Sequence, residues 1–326
     1  MTANIKPVDE VEILVLIDNQ TDSLSSVPEE FTHEWVNLHN AGMEQISGAG
    51  QCCANHGLAL IITARRGGTE HTLLFDAGPV DFAVEYNASR LGKSFASIEA
   101  IALSHGHWDH AGGIPAAIDL IRKDGQTGEL PVYLHPGMFR KRAFPLSTGE
   151  LIEIREIATP EELAAQGATP IVTDQPVSTL GDMFYISGEI PRVTDYEIGF
   201  PGHVRRTEDG TDWEDDPLLM DERYVAVNIA GKGLVVFSAC SHAGIVNVLH
   251  AAQRDFPGVP IHGLTGGFHL AGGNEEIIGQ TVADFAQFDI DLIMPGHCTG
   301  WRATNALERQ YGERVVPIAV GMKINL

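Results

Sequence analysis

Four side chains of metal-binding type lie close together directly after an apolar run. The stretch "IALSHGHWDHAGGI", residues 101–114, holds His105, His107, Asp109 and His110 within six residues. Buried imidazoles and carboxylates are costly unless they have partners, and histidine is the commonest side-chain metal ligand. Because the apolar run predicts a strand, the cluster lies where a strand passes into a loop. The spacing therefore predicts a metal site on a rigid backbone.

One loop cannot complete the coordination of a metal, so other strand ends should supply further donors. Three later histidines fit, because each follows an apolar run and lies beside glycine or proline. They are His242 in "VVFSACSHAG", His269 in "LTGGFHLAG" and His297 in "IMPGHCTG". We predict that these three join the first cluster as metal ligands.

Short apolar runs rich in Val, Ile and Leu recur along the 326 residues. Runs such as "VEILVLI", "LALIITA" and "GLVVFSA" have strand length and are bounded by Gly, Pro, Asp or Asn. Helical patterns lie between some of them, at 113–123, 243–255 and 275–288. The alternation predicts a layered α/β domain, taken as one domain over residues 1–326.

Two segments fit this alternation poorly, residues 19–51 and residues 136–217. The first is polar, and the second mixes charges, prolines and short helices. Long irregular segments inside a compact domain are usually functional loops or lids. We expect lid or insert segments that cover a site or form a subunit contact, with ordinary solvated loops as the alternative.

Charge and composition limit the partners. The net charge of -23, from 21 Lys+Arg and 44 Asp+Glu, repels phosphate backbones and anionic lipid, so neither nucleic acid nor a membrane is expected. The N-terminal sequence lacks a signal-peptide pattern, and no apolar run approaches the roughly 20 residues of a membrane helix. We expect a cytoplasmic protein with a small-molecule substrate, and a homodimer as the assembly common to such enzymes.

None of the four cysteines forms a CxxC pair, which argues against a zinc knuckle or a disulfide framework.

The motif HxHxDH, followed by single histidines at later strand ends, resembles the metallo-β-lactamase superfamily. "TLLFDAG", residues 72–78, is similar to that superfamily's first motif and places Asp76 in it. The resemblance covers nearly the whole chain and implies a four-layer αββα sandwich with two metal ions at one edge of the sheets. It implies two groups of ligands, with His105, His107 and His242 on the first metal and Asp109, His110 and His297 on the second. Asp76 would orient ligands without binding metal, as such sites commonly require.

One position departs from the superfamily pattern. Many relatives have an aspartate, or in some β-lactamases a cysteine, that bridges both metals after the third metal-binding histidine. Here "GGFHL" offers His269, and a neutral imidazole cannot bridge two cations as a carboxylate does. The number of metal ions is therefore left at one or two. His269 is either a terminal ligand, a substrate contact or a proton donor to the leaving group.

Eight fragments in order are similar to a narrower branch of the superfamily. That branch comprises metal-dependent hydrolases related to the dihydropterin-linked ribofuranosylaminobenzene phosphate synthase of methanopterin biosynthesis. The fragments are "VLIDNQTD", "NHGLALII", "FDAGP", "LSHGHWDHAGGI", "SGEIPR", "ACSHAGIVN", "GGFHL" and "HCTGWRA". Branch membership does not fix the reaction. Within these fragments, strand-end capping accounts for Asp18 and Asn19, and a buried hydrogen bond accounts for His56.

The predicted chemistry is hydrolysis by a metal-bound hydroxide, because a bound metal lowers the pKa of water from near 16 to about 7. The substrate would be a small-molecule ester, lactone, amide or phosphoester. Histidines with one carboxylate suit zinc, with manganese or iron as alternatives. Asp109 would act as ligand and general base, and His269 would protonate the leaving group.

Eight residues are candidate substrate contacts: Trp108, His135, Arg140, Glu189, Arg192, His203, Cys298 and Trp301. Arg140 lies in the basic stretch "HPGMFRKR", which would seat a phosphate or carboxylate or form a solvated face. The two tryptophans either face the cavity or pack beneath their loops. Glu189 and Arg192 either contact substrate or pair with each other.

Other functions remain as alternatives. A pterin-linked phosphoribosyl-type transferase or condensing enzyme would use the same metal site and would need a flat aromatic slot and a basic phosphate-binding group. A redox protein holding two irons and a non-catalytic ligand-binding protein belong to other classes. β-Lactamase activity is not expected of a chain without an export signal, and nuclease activity conflicts with the charge.

Overall fold

The computed structural model describes residue 3 and residues 5–326. The strands are β1 (Glu10–Ile17), β2 (Phe31–Thr32), β3 (Ala59–Arg66), β4 (Thr69–Phe75), β5 (Ile98–Ala102), β6 (Pro131–Leu134), β7 (Arg142–Pro145), β8 (Leu151–Ile154), β9 (Thr169–Val172), β10 (Val177–Thr179), β11 (Phe184–Ile186), β12 (Val204–Arg206), β13 (Trp213–Asp215), β14 (Val225–Ile229), β15 (Gly233–Ser238), β16 (Ile261–Gly267), β17 (Leu292–Gly296) and β18 (Lys323–Asn325). The α-helices are α1 (Glu34–Asn40), α2 (Asp81–Arg90), α3 (Trp108–Ala111), α4 (Ile114–Lys123), α5 (Pro160–Ala165), α6 (Ile245–Asp255), α7 (Ile278–Asp284) and α8 (Trp301–Tyr311).

The strands form two large sheets and one small one within the described residues. The first large sheet has the order β2-β18-β1-β3-β4-β5-β6-β9, and the second has the order β10-β11-β14-β15-β16-β17. Strands β4, β5, β6 and β9 run parallel, as do β15, β16 and β17. The small sheet, β13-β12-β7-β8, is antiparallel.

The first sheet is buried on both faces, which explains why its strands are almost continuously apolar. In β3, Leu60 and Ile62 point into the core between the two large sheets. The alternate residues Ala59 and Ile61 point into a second core on the outer face. A strand whose alternate residues point into two cores needs no polar face, so an apolar run such as "LALIITA" supplies side chains to both cores.

Helices cover the outer face of each large sheet. Helix α4 buries Ile114, Ala117, Ile118 and Ile121, the spacing of one helix face, against the first sheet. Helices α6, α7 and α8 pack against the second sheet, where Leu249 contributes to the core. The layer order is thus helix, sheet, sheet, helix. The four-layer αββα sandwich implied by the resemblance is confirmed.

The segment 136–217 is more regular than its composition indicated. Its strand β9 pairs with β6 in the first large sheet, and its strands β10 and β11 extend the second. The small sheet lies wholly within this segment. The segment 19–51 contributes β2 and α1. Short antiparallel strands rich in charged residues carry weak apolar alternation, so the sequence pattern did not reveal them. In the part of the chain that the structure describes, no helix is long and apolar enough to cross a membrane.

Candidate metal centre

The carboxyl ends of strands from both large sheets meet at one edge, and this edge carries the predicted ligands. Strand β5 leads into the loop of His105 and His107, and helix α3 carries Asp109 and His110. Strands β15, β16 and β17 lead to the other three, which are His242, His269 and His297. Parallel neighbours end at the same edge of a sheet, so short loops suffice to bring these side chains together.

Three histidines form the first group of donors, His105, His107 and His242. Their ligand atoms all lie within 4.8 Å of one another, and His105 Nε2 lies 3.0 Å from His107 Nδ1. Burial lowers the pKa of each imidazole well below its ordinary value, and neighbouring histidines lower it further. The neutral imidazole, which is the form that binds a metal, is therefore present at neutral pH.

Asp109 is the centre of the second group. Its Oδ2 lies 3.4 Å from His297 Nε2 and 3.6 Å from His110 Nε2. Burial disfavours the carboxylate, but His110 and His297 outweigh burial and hold the pKa of Asp109 well below its usual range. Burial also lowers the pKa of His110, but the carboxylates of Asp109 and Asp76 outweigh it and raise the pKa to about 9. One carboxylate and two imidazoles thus lie close together at a second possible metal position.

Asp76 lies behind the ligands and fixes their orientation. Its Oδ1 accepts a hydrogen bond from the Ser104 N–H, and its Oδ2 accepts one from the Ser104 hydroxyl. Asp76 Oδ2 also lies 2.7 Å from His110 Nδ1, which leaves His110 Nε2 facing the site. His105 Nδ1 lies 2.9 Å from Ser104 Oγ, which turns His105 Nε2 towards His107 and the site. A single buried carboxylate therefore sets the orientation of two imidazoles.

Asn19 and Asp18 hold His297 in its orientation. Its Nδ1 lies 2.9 Å from Asn19 Oδ1, and its backbone N–H donates to Asp18 Oδ1. Burial raises the pKa of Asp18 to about 6, although the hydrogen bonds that it accepts oppose this rise. Both residues directly follow β1, where the sequence predicted strand-end capping. Their contacts with His297 give them a role in the site as well.

Four residues of the site have backbone conformations that side chains rarely adopt. The φ angles are 57° at Asp76, 61° at Ser241, 46° at His269 and 44° at His297. A left-handed conformation costs a non-glycine residue on the order of 1–3 kcal/mol and persists only where the surrounding structure imposes it. Its recurrence at this edge is typical of a functional site.

The donor set fits divalent metal ions. The Nε2 atoms of His110 and His297 and both ring nitrogens of His242 are buried without a hydrogen-bond partner among the described residues. Buried polar atoms in native proteins are almost always paired, so each of these atoms needs another partner. Imidazoles with a carboxylate suit zinc, manganese or iron. Metal ions bound here would take His110 Nε2, His297 Nε2 and one ring nitrogen of His242 as ligands.

Besides Asp18 and Asn19, two residues of the site were not assigned to it from the sequence. Cys240 Sγ belongs to several of the groups close enough to share a metal ion. His56, assigned to a buried hydrogen bond, is instead 61% exposed, and its Nε2 lies 3.5 Å from Asp109 Oδ2. The fragments "ACSHAGIVN" and "NHGLALII" carried the only sequence signal for them.

A cavity of about 830 Å³ opens above the metal-binding groups. Its floor includes His107, Asp109, His242, His269 and His297. Its walls are mostly apolar or aromatic and include Trp108, Phe144, Ile154, Tyr196, Ile198, Phe200 and Ile277. Among the described residues that line it, none is lysine or arginine.

Three of the predicted substrate contacts lie at or beside this cavity. Trp108 and Cys298 line it. His203, from the segment 136–217, is buried with its Nε2 3.2 Å from His107 Nε2. It therefore contacts a candidate metal ligand directly.

The other five predicted contacts do not line the cavity. Arg140 donates to the Arg206 carbonyl and to Glu214. His135 accepts the Gly137 N–H, and its Nε2 lies 3.6 Å from Glu189. Arg192 donates to the Ile190 and Leu218 carbonyls, and Trp301 is 66% exposed beneath the Arg302 guanidinium. The four polar side chains among them contact partners outside the cavity, and Trp301 is largely exposed.

His269 lies at the boundary between the metal-binding groups and the cavity. Its ring centroid lies 4.1 Å from that of His242, and its Nδ1 lies 3.5 Å from Cys240 Sγ. It also lines the cavity, beside Phe200. This position suits either a ligand or a substrate contact.

Comparisons with known sequences agree with the geometry. Residues 71–179, which include Asp76 and the HxHxDH motif, match the family model of the beta-lactamase superfamily domain. The 7,8-dihydropterin-6-methyl-4-(beta-D-ribofuranosyl)-aminobenzene-5'-phosphate synthase of Methanocaldococcus jannaschii is 27% identical, over 80% of this chain and 86% of that protein. An uncharacterized protein of the same organism is 28% identical, over 78% of this chain and 88% of that protein.

Solved structures share the fold. A protein described as a metal-dependent hydrolase of the beta-lactamase superfamily superposes with a TM-score of 0.69 and 21% identity, covering 96% of this chain and 98% of that one. The metallo-beta-lactamase fold protein YhfI from Bacillus subtilis gives a TM-score of 0.50 and 12% identity, covering 98% and 100%. The resemblance to the superfamily and to its narrower branch is confirmed.

Proposed function

We propose that this protein, which has the metallo-β-lactamase fold, is a metal-dependent hydrolase of small molecules. Its substrates would be esters, lactones, amides or phosphoesters that carry an uncharged apolar group. The observation that supports this most is the position of the buried metal-binding groups at the floor of an apolar cavity. Sites of this form hold the reacting bond at the polar floor and the rest of the substrate against the walls.

The residues of the floor have separate tasks in this proposal. Divalent metal ions, when bound, lower the pKa of water and polarise the scissile bond. Six of the seven predicted ligands, all except His269, would hold these ions. The lowered pKa of Asp109 favours its role as a ligand over that of a general base, because a weakly basic carboxylate accepts protons poorly. His269 lines the cavity where it would donate a proton to the leaving group.

The walls indicate the substrate class. Phe144, Ile154, Tyr196, Ile198 and Phe200 come from the segment 136–217, and together they form an apolar surface over the floor. A substrate with an acyl chain or aromatic ring would bury apolar area there. With no lysine or arginine among the described lining residues, an anionic tail would find no charged partner in the walls.

The pterin-linked transferase remains a second candidate, supported by similarity to the archaeal synthase over most of the chain. It requires a basic group for phosphate, and the predicted source of that group was Arg140. In the structure, Arg140 is engaged with Glu214 and the Arg206 carbonyl. The metal ions would then be the sole phosphate-binding charge, which makes the transferase the less favoured proposal.

The test is to measure metal content and substrate range together. The protein would be purified without chelators or metal-binding tags, and metal per chain would be measured by elemental analysis. We expect one or two ions per chain, activity on ester or lactone substrates, loss of that activity with a chelator and its return with added metal. Activity that survives metal removal would refute the proposal. Turnover of a pterin with a phosphoribosyl donor, and of no ester, lactone, amide or phosphoester, would establish the transferase.

Shortening one wall residue should change selectivity and leave the chemistry unaffected. We expect Ile198→Ala to lower kcat/KM by about tenfold for a long-chain acyl ester and to leave the acetyl ester unchanged, because apolar contacts discriminate on this scale. The measurement is the ratio of kcat/KM for the two esters. The matched control is Ile152→Ala, because Ile152 is 54% exposed against 57% for Ile198 but does not line the cavity. Equal effects of both variants would contradict the assignment of this wall.

A further inference from the structure

We propose that Cys240 is a metal ligand, placed between the two groups of histidines so that one thiolate serves both halves of the centre. The proposal rests on the metal centre of the proposed function and adds a sulfur ligand to it. Cys240 follows strand β15, two residues before His242, and is only 3% exposed. It also lines the floor of the cavity.

The position of the sulfur is the first observation. Cys240 Sγ lies within 4.8 Å of the ligand atoms of His105 and His110, which face the site from the first sheet. It lies within the same distance of donors from the second sheet, which are His242, His269, His297 and Cys298. Three pairs of these donors lie close enough to the sulfur to share one ion with it: His105 with His110, His242 with His269, and His297 with Cys298. The thiol thus stands between donors from both sheets.

Unpartnered nitrogens around the sulfur are a second, independent observation. His110 Nε2 and both ring nitrogens of His242 are buried and have no hydrogen-bond partner among the described residues. These atoms belong to side chains that share groups with Cys240 Sγ. A hydrogen bond between residues does not account for them. An ion that binds His110 Nε2 or one ring nitrogen of His242 would lie within reach of the sulfur.

Charge supports a thiolate in this position. Asp109 is the sole carboxylate in the groups of described residues that could hold a metal. Imidazoles are neutral when they bind, so among these possible ligands only Asp109 offsets the four charges of two divalent ions, and Asp76 adds one buried carboxylate behind His110. About two positive charges would remain in a buried site, where such charge is costly. A thiolate removes one of them, and His269 cannot. Ligation breaks the S–H bond, releases one proton to solvent and forms a sulfur–metal bond, with no change of oxidation state.

Cys298 is the competing sulfur and must be separated from Cys240 in the test. The two Sγ atoms lie 3.0 Å apart, and Cys298 also donates to the Cys240 carbonyl. Cys298 is half-buried and belongs to one of the groups able to hold a metal ion, whereas Cys240 is only 3% exposed and belongs to three of them. Its deeper burial and its place among donors from both sheets are the reasons for choosing Cys240.

The experiment loads the metal-free protein with Co²⁺ and records the sulfur-to-cobalt charge-transfer band in the near ultraviolet, beside cobalt per chain. We expect the band in wild type, in Cys298→Ser and in the control Cys53→Ser, whose thiol lies outside the metal-binding groups. Cys240→Ser should lose the band and bind cobalt at least about tenfold more weakly, because a lost ligand costs at least what a lost supporting contact does. Circular dichroism would verify that each variant folds.

A measurement on the wild-type protein covers the case in which Cys240→Ser does not fold. X-ray absorption of the zinc-loaded protein should show a sulfur scatterer at about 2.3 Å besides nitrogen and oxygen at about 2.0–2.1 Å, and Cys298→Ser should retain it. Cobalt binding without a charge-transfer band would refute the sulfur ligand while the metal centre stands. Loss of the band in Cys298→Ser, with its survival in Cys240→Ser, would assign the ligand to Cys298 and overturn the proposal. Failure to bind any metal would overturn this proposal and the proposed function together.

Discussion

Asp109→Asn is expected to lose at least one metal ion per chain and to lower kcat/KM by at least about a hundredfold, while the fold persists. Even residues that only support metal ligands cost 10–100-fold in affinity or activity when replaced, and Asp109 lies among the ligands themselves. Its Oδ2 is within 3.4 Å to 3.6 Å of three imidazole nitrogens, those of His297, His56 and His110. Asparagine keeps the size of the side chain and removes its charge, so the result isolates the carboxylate.

Elemental analysis and steady-state kinetics would measure this effect, with circular dichroism as the check on folding. The control is Asp119→Asn, which removes the same charge from an exposed position on the neighbouring helix α4. Its metal content and kcat/KM should equal those of wild type. An Asp109→Asn protein that keeps its full metal content and activity would remove Asp109 from the centre.

Asp221→Ala is expected to lower the free energy of unfolding by about 3–5 kcal/mol, because it leaves a buried guanidinium without its main partner. Arg142 and Asp221 are 3% and 2% exposed and lie 2.6 Å apart. Asp221 Oδ2 also accepts the Gly106 N–H, and Gly106 lies between His105 and His107 in the ligand loop. The same variant should therefore weaken metal binding by about 10–100-fold.

Denaturant unfolding would measure the loss of stability, and metal titration would measure the loss of affinity. The control is Glu70→Ala, since the Glu70–Arg65 pair has the same 2.6 Å distance but Glu70 is 49% exposed. An exposed ion pair contributes at most about 1 kcal/mol, so the control should change little. Similar losses in both variants would show that burial does not set the contribution of the Arg142–Asp221 pair.

The Asp221 carboxylate also gives the stability a pH dependence with a definite sign. Burial raises the pKa of Asp221, but Arg142 outweighs burial and lowers it below the ordinary value. The stabilisation is therefore complete above the unfolded pKa of about 4 and is lost as the pH falls through the lower folded pKa. Unfolding free energies measured from pH 6 downwards should fall more steeply below pH 4 in wild type than in Asp221→Ala. Parallel curves would contradict this contribution.

The burial of the Arg142–Asp221 pair is a feature that the local sequence does not encode. Arg142 belongs to the basic stretch "HPGMFRKR", for which the sequence predicts either an anion-binding patch or a solvated face. Its partner lies 79 residues away, across the segment 136–217. A charge run has no local feature that separates a buried arginine from an exposed one. That distinction exists only once the small sheet has folded over the ligand loop.

His56 and Cys240 show the same limit at the site itself. Both lie in fragments that the sequence marked as similar to a known branch, yet neither has the local spacing of a metal motif. Cys240 acquires its surroundings from Cys298, which is 58 residues away. His56 reaches Asp109 from the loop before β3. Residues so far apart in the chain meet only because two sheets end at one edge.

The sequence by itself determined the layered α/β architecture, the HxHxDH cluster and the strand-end positions of His242, His269 and His297. These follow from patterns within a few residues of one another, in which apolar periodicity locates strands and spacing locates donors. Only the tertiary structure decided that Cys240 lies between the two groups of histidines and that the walls of the cavity are apolar. It also decided that Arg140 contacts Glu214 and the Arg206 carbonyl outside the cavity. Each of these depends on which distant segments pack together, and packing is set by burial and partners that no local pattern records.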